Sequence, residues 1–353
     1  MELYEHVSRI VARSKAFYSA TEPGHFLIGV HLPVEVPPLP PLYEYDPETH
    51  LEQWLDLRLE SSRPAWEAKA DIDDDIAPTI CPAFGIAEHS AWLGMKVRAQ
   101  QNTNLPVPLL NSLDEVEKLT LSDQTPWFRY MKDGYDYLRS KKDGTFLLSV
   151  RGGMTPMDLA DAVRGNEIYV EMLTEPEKVH RLLKFLTEAE AWYFSQLRSW
   201  ADEVEGGHFF TYAFGWAPNA IGHLSNDAAM LCSYQVYKEF GYPYEVELVK
   251  DYECVLYHIH NEKLHFVPHL VELPNLALLE ISNDPMMPAP IEDLPRIFAH
   301  TGKANLLLHA TSDQVRDHIE ELKVRNVFFD VSCRDRADAE DIVAFVREQS
   351  KPL

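Results

Sequence analysis

Short apolar runs recur along the chain and alternate with longer stretches in which apolar residues return every three to four positions. The runs at 26–31, 75–80, 146–150, 208–214, 254–260, 277–281, 305–310 and 326–332 read as strands. The stretches 175–200, 227–240, 264–273, 291–300, 313–323 and 337–349 read as amphipathic helices, with Thr174, Ser312 and Asp335 standing where N-caps belong. Leu306-Leu307-Leu308 and Val327-Phe328-Phe329 are apolar without alternation, the pattern of parallel strands covered on both faces. Eight strands alternating with helices predict the α/β class and a (β/α)8 TIM barrel, with a doubly wound open sheet as the alternative. The chain reads as one barrel domain over 1–353, preceded within it by a helical and proline-rich extension over about 1–70. Six prolines crowd residues 32–47, which predicts a rigid, irregular excursion after the first strand. A second such stretch, Asp284-Pro285-Met286-Met287-Pro288-Ala289-Pro290, follows the sixth. In a barrel both lie on the face where active-site loops gather.

Composition narrows the function classes. Apolar residues make up 46% of the 353 positions, enough for a sizeable core. Thirty-two basic residues face 56 acidic ones, a net charge of −24, so nucleic acid and anionic membrane surfaces are not expected partners. The amino terminus lacks the basic-then-apolar layout of a secretion signal, and no apolar run is long enough to span a bilayer. Cys81, Cys232, Cys254 and Cys333 are widely spaced, form no CxxC pair, and fit a reduced, cytoplasmic setting.

Familiar nucleotide and metal motifs fail. No phosphate loop and no GxGxxG follows a strand. Asp71-Ile72-Asp73-Asp74-Asp75-Ile76 begins like a calcium loop, but Ile76 replaces the turn glycine and Pro82 stands where a bidentate Glu is required. His265 and His269 lie four apart without the Glu of an HExxH helix.

Tyr257-His258-Ile259-His260 carries more information. Residues two apart on a strand share a face, so both imidazoles point either into the barrel mouth or into the outer helical layer. In the mouth they can converge on one metal. The eighth strand ends Asp330-Val331-Ser332-Cys333, which brings a thiol to the same rim, and three nitrogen or sulfur ligands with an open position suit zinc. Glu280 and His309, near the ends of the sixth and seventh strands, are further candidate ligands. The plainer reading makes the His pair a hydrogen-bonding element and Cys333 a small buried hydrophobe. Arg151, ending the third strand, is the basic residue expected in the mouth, bound to a substrate carboxylate or paired with a rim acid. His31, Tyr212, Phe214, Trp216 and His223 are candidate substrate-binding residues, the aromatics serving equally well as core.

Three stretches resemble the uroporphyrinogen decarboxylase superfamily, which includes cobalamin-linked methyltransferases. They are Arg151-Gly152-Gly153-Met154-Thr155-Pro156 through Thr174-Glu175-Pro176-Glu177; Ser225-Asn226-Asp227 with Tyr237-Lys238-Glu239-Phe240-Gly241-Tyr242-Pro243; and the histidine strand with Leu270-Val271-Glu272-Leu273-Pro274 and the terminal Ser332-Cys333. Together they span roughly 71–350.

The resemblance implies the same barrel. It also implies zinc held by His258, His260 and Cys333, where His260 replaces the first cysteine of the methyltransferases' His-x-Cys. One thiolate with two imidazoles leaves the metal more Lewis-acidic, suited to an oxygen or nitrogen leaving group. The superfamily's catalytic aspartate corresponds to Asp75. The decarboxylases' arginine-rich turn after the first strand is missing, since Val30-His31-Leu32-Pro33 occupies that place, which argues against a tetrapyrrole substrate. The expectation is therefore a methyltransferase that activates a small substrate on zinc and docks a corrinoid-carrying protein over the mouth, as a monomer or a homodimer. A decarboxylase or lyase using Asp75 and Arg151 on a small acid, and a non-catalytic corrinoid- or small-molecule-binding barrel, are the alternatives.

Overall fold

The computed structural model describes residues 3–101, 103–211 and 214–352. Its centre is a parallel sheet of six strands: β1 (Phe26–His31), β9 (Ala220–Ser225), β10 (Cys254–His260), β11 (Leu276–Ser282), β12 (Leu306–Thr311) and β13 (Val327–Ser332), in the order β1-β13-β12-β11-β10-β9. The molecule is thus mixed α/β, with helices crossing between successive parallel strands. Shorter pairings lie between the two edges. The Asp75 amide donates to Ile28 O of β1. β2 (Thr79–Ile80) pairs in parallel with β5 (Leu147–Leu148), the antiparallel hairpin β3 (Lys96–Ala99) and β4 (Asn104–Val107) lying between them in the chain. Val150 bridges Phe210, and Met154 bridges Ser225 of β9. These links do not form one continuous ladder among the described residues.

The strands at 254–260, 277–281, 305–310 and 326–332 form where the apolar runs predict them, to within a residue or two. The run at 75–80 yields only Thr79–Ile80, because Asp75 ahead of it is held by side-chain bonds. The predicted strand at 208–214 is corrected. Its first part is β7 (Gly207–Phe210), which joins β6 (Glu203–Val204) and β8 (Gly215–Pro218) in an antiparallel meander. The strand that extends the parallel sheet is β9. Its sequence, Ala-Ile-Gly-His-Leu-Ser, has too short an apolar run to announce it.

Helix α1 (Leu3–Ser19) packs Val7, Ile10 and Val11 against Phe209 and Trp216 of the meander, forming a small separate core. Helix α2 (Pro47–Ala68) follows the proline-rich excursion, capped by Asp46, whose side chain accepts from Glu48 N. Every residue of Leu306-Leu307-Leu308 and Val327-Phe328-Phe329 is fully or almost fully buried, since helices cover the sheet's outer face and packed side chains its inner one. Burying each such side chain contributes about 1.5–3 kcal/mol.

Candidate functional site

The faces of β10 are fixed by its neighbours. The Tyr257 hydroxyl donates at 3.1 Å to Glu245, a residue of the helix Tyr242–Val249, so Tyr257 points into the outer layer. His258 and His260, one position away on either side of Ile259, therefore point inward. His258 stands opposite Glu280 in register, and its Nδ1 lies 2.9 Å from a Glu280 oxygen. His260 Nδ1 lies 2.7 Å from Asp284, in the irregular stretch that follows β11. Both imidazoles thus turn Nδ1 toward a carboxylate and keep Nε2 for another partner. Asp227, one turn of chain past β9, lies 3.6 Å from His260 Nε2.

Asp227, His258 and His260 each offer an atom to one point, as do His223, His258 and Glu280, each group lying within 4.8 Å. The first group fits a metal better. His258 Nδ1 and Glu280 already make a hydrogen bond in the second, whereas in the first both Nδ1 groups are carboxylate-bonded, the arrangement that orients metal-ligating histidines.

A line of alternating imidazoles and carboxylates continues from Glu280 along the inner face. Glu280 lies 2.7 Å from His309 Nε2, His309 Nδ1 lies 2.8 Å from Asp330, and Asp330 lies 2.5 Å from His31 Nε2. Burial alone pushes the Glu280 carboxyl up, but His258 and His309 outweigh it and bring its pKa down to about 2. Burial likewise lowers His309, while Asp330 and Glu280 together raise it to about 10. His258 is raised because its Glu280 bond overcomes its burial. At His223 the balance goes the other way: burial first, then the neighbouring His258 charge, outweighs Glu280 3.7 Å away and takes it down to about 3, so it stands neutral.

His223, Asp227, His258 and His260 open onto a cavity of about 590 Å³ that Arg58, His89, Arg151 and Ser225 also line, among others. That volume suits a small molecule. Arg151 lines this cavity as the partner of a buried acid: its Nε donates to Glu88 at 2.6 Å. His89 Nδ1 donates to Gly152 O at 2.9 Å, and burial, with Arg151 beside it, holds it neutral. Gly152 backs onto His223 so closely that a Cβ there would lie 2.8 Å from the His223 Cβ.

Five predicted site residues, Cys333, Asp75, Trp216, Phe214 and His31, do not line this cavity. Cys333 leaves the expected ligand set: it is buried between the helices Ser312–Leu322 and Arg336–Gln349, with Ser312 Oγ 3.7 Å from its sulfur. The ladder continues through Cys333, whose amide donates to His31 O, and alternation from Asp330 turns the thiol to the helical side. Asp75 is also corrected, as it does not line the cavity. Fully buried, it accepts from Ile28 N at 2.8 Å and Arg13 Nε at 2.6 Å, and Arg347 lies 2.8 Å away. It bolts α1 and the last helix to β1. Trp216 donates to Val204 O inside the small core beside α1. Phe214 is fully buried, its ring edge-on to His223 at 5.2 Å, a packing support and not a substrate wall. His31 is half exposed, the outer end of the imidazole–carboxylate line. Tyr212 lies outside the described residues.

Sequence reasoning gave no chemical role to Asp227, Asp284, Asp330, Glu88 or Arg58. Asp284 heads the second proline-rich connection, so position just after a predicted strand was the available signal for it, whereas Asp227, in the quoted Ser225-Asn226-Asp227 stretch, follows a strand that the apolar pattern does not announce. Arg58 and Glu88 had none. No family model matches the chain, and no curated protein matches it significantly. No helix among the described residues is long and apolar enough to cross a membrane.

Proposed function

We propose that this protein is a metal-dependent enzyme on a small molecule, built on a (β/α)8 barrel that β2, β5 and the start of the meander complete between β1 and β9. The single observation that carries the reading is the inward pair His258 and His260, each with Nδ1 on a carboxylate and with Asp227 beside Nε2. Two imidazoles and one carboxylate with open positions suit catalytic zinc. Asp227, His258 and His260 would hold it, Glu280 and Asp284 would orient the two histidines, and the bound ion would supply Lewis acidity for a leaving group. The chain's own groups supply the rest. Neutral His223 and His89 are hydrogen-bonding groups for substrate that add no charge, and the Arg151–Glu88 pair stiffens the Gly152-Gly153 turn beneath them.

The motifs resembling the uroporphyrinogen decarboxylase superfamily support methyl transfer as the reaction, with the methyl group passing between the substrate and a corrinoid on a partner protein. Exposed apolar side chains on connections that follow strands support a docking face at the mouth: Val36 and Leu39 after β1, Ile86 after β2, Leu231 after β9 and Met286 after β11. A carboxylate in place of the thiolate makes the metal harder still, and favours a donor that leaves through oxygen or nitrogen.

Metal analysis of protein purified without chelator tests this. Stoichiometric zinc is expected in the wild type, with loss in His258→Ala and His260→Ala. Metal-free wild type, or variants that keep their zinc, would overturn the proposal.

A further inference from the structure

One wall of the cavity carries charge that the metal reading does not use. It is built by α2, the connection after β2 and the chain just past β5. Arg58 of α2 lines it. The Arg58 Nε is buried without a hydrogen-bond partner, and no ion pair engages this side chain among the described residues. Arg151 lines the same wall, with its guanidinium on Glu88 and on Gly85 O at 3.2 Å. Both arginines act on the Glu88 carboxylate. Glu88 is already engaged by Arg151, so the Arg58 charge stands on this wall without a carboxylate of its own. His89 is held neutral and does not change that balance.

Nε is shielded from the cavity as well as from water, so the terminal Nη groups are what Arg58 presents there, and no protein acceptor engages them among the described residues. In a chain of net charge −24 many carboxylates could have served, yet none does. We propose that Arg58 grips a carboxylate of the substrate, so that the substrate class is a small carboxylic acid. Its other end faces Asp227, His258 and His260. The planar fork of N–H groups matches the two oxygens of a carboxylate. One surplus charge balances a carboxylate, whereas a phosphate monoester carries about −1.5 to −2 at neutral pH. The orientation of the reacting end rests on the metal-site reading; the Arg58 contact does not.

The test is equilibrium binding of acetate, succinate, benzoate and inorganic phosphate to the full chain, measured by calorimetry before and after dialysis against a chelator. Wild type, Arg58→Met and Arg58→Lys are compared, with melting profiles to confirm that each is folded. At least one carboxylate is expected to bind wild type with or without chelation. Arg58→Met should weaken it at least tenfold, and Arg58→Lys, which keeps the charge but loses the fork, should weaken it less. A protein that lacks metal yet binds the carboxylate in this Arg58-dependent way sinks the metal reading and supports this one. The proposal is overturned if no carboxylate binds, if Arg58→Met binds as wild type does, if binding vanishes on chelation, or if phosphate binds more tightly than every carboxylate.

Discussion

His258 and His260 share the inward face of one strand, and each sets its Nδ1 on a carboxylate. Glu280 and Asp284 fix their tautomers and leave each Nε2 for another partner, Asp227 lying 3.6 Å from that of His260. Glu280→Gln and Asp284→Asn should therefore each weaken zinc binding about 10–100-fold without removing a ligand. Cys333→Ala should leave it unchanged, since the thiol lies in the helical layer. Competition with a chromophoric chelator reads both, and a Cys333 variant that loses zinc would contradict this placement. His309 offers a pH test. Its pKa is raised to about 10 by Asp330 and Glu280, so its contribution to stability is complete below the unfolded value near 6.5 and is lost as pH rises toward 10. In metal-free protein the His309 ring resonances should still be those of imidazolium at pH 8. A midpoint near 6.5 would show that the two carboxylates do not hold it.

Among the elements, β10 was legible because four apolar or aromatic positions, Cys254 to Tyr257, run into His-x-His, and period two puts both imidazoles on one face. Which face was not legible. That depends on Tyr257 meeting Glu245, a contact between a strand and a helix that no local pattern encodes. The strand β9 was missed, and with it the placement of Asp227, because a short run broken by Gly222 and His223 resembles a turn. Asp75 was misread for a related reason. Three consecutive aspartates look like chemistry, and only the folded chain shows Arg13 and Arg347 closing on one of them. Asp75→Ala leaves two arginines facing a vacated buried position and should destabilise the fold by about 3–5 kcal/mol. The same variant should retain its zinc affinity at temperatures where it is folded. Denaturant melts paired with zinc titration separate the two effects, and a stable variant that loses zinc would restore Asp75 to the site.

At the scale of the whole molecule, the alternation of strands and helices was enough to give the α/β class and the edge of the sheet where chemistry collects. Five of the eight predicted runs, β1 among them, became full strands of the parallel sheet, because buried parallel strands write continuous apolar runs. The site assembles from the ends of β9, β10 and β11 and from the connections beyond them. Its cationic wall comes from α2, which enters the sequence far from any of these. Long-range placement of that kind leaves no periodic trace. The central claim is one metal held by three side chains, and anomalous diffraction at the zinc edge from crystals grown without chelator tests it most directly. The account predicts a single peak about 2.0–2.2 Å from His258 Nε2, His260 Nε2 and an Asp227 oxygen. No peak there, or a peak beside Cys333, would contradict it.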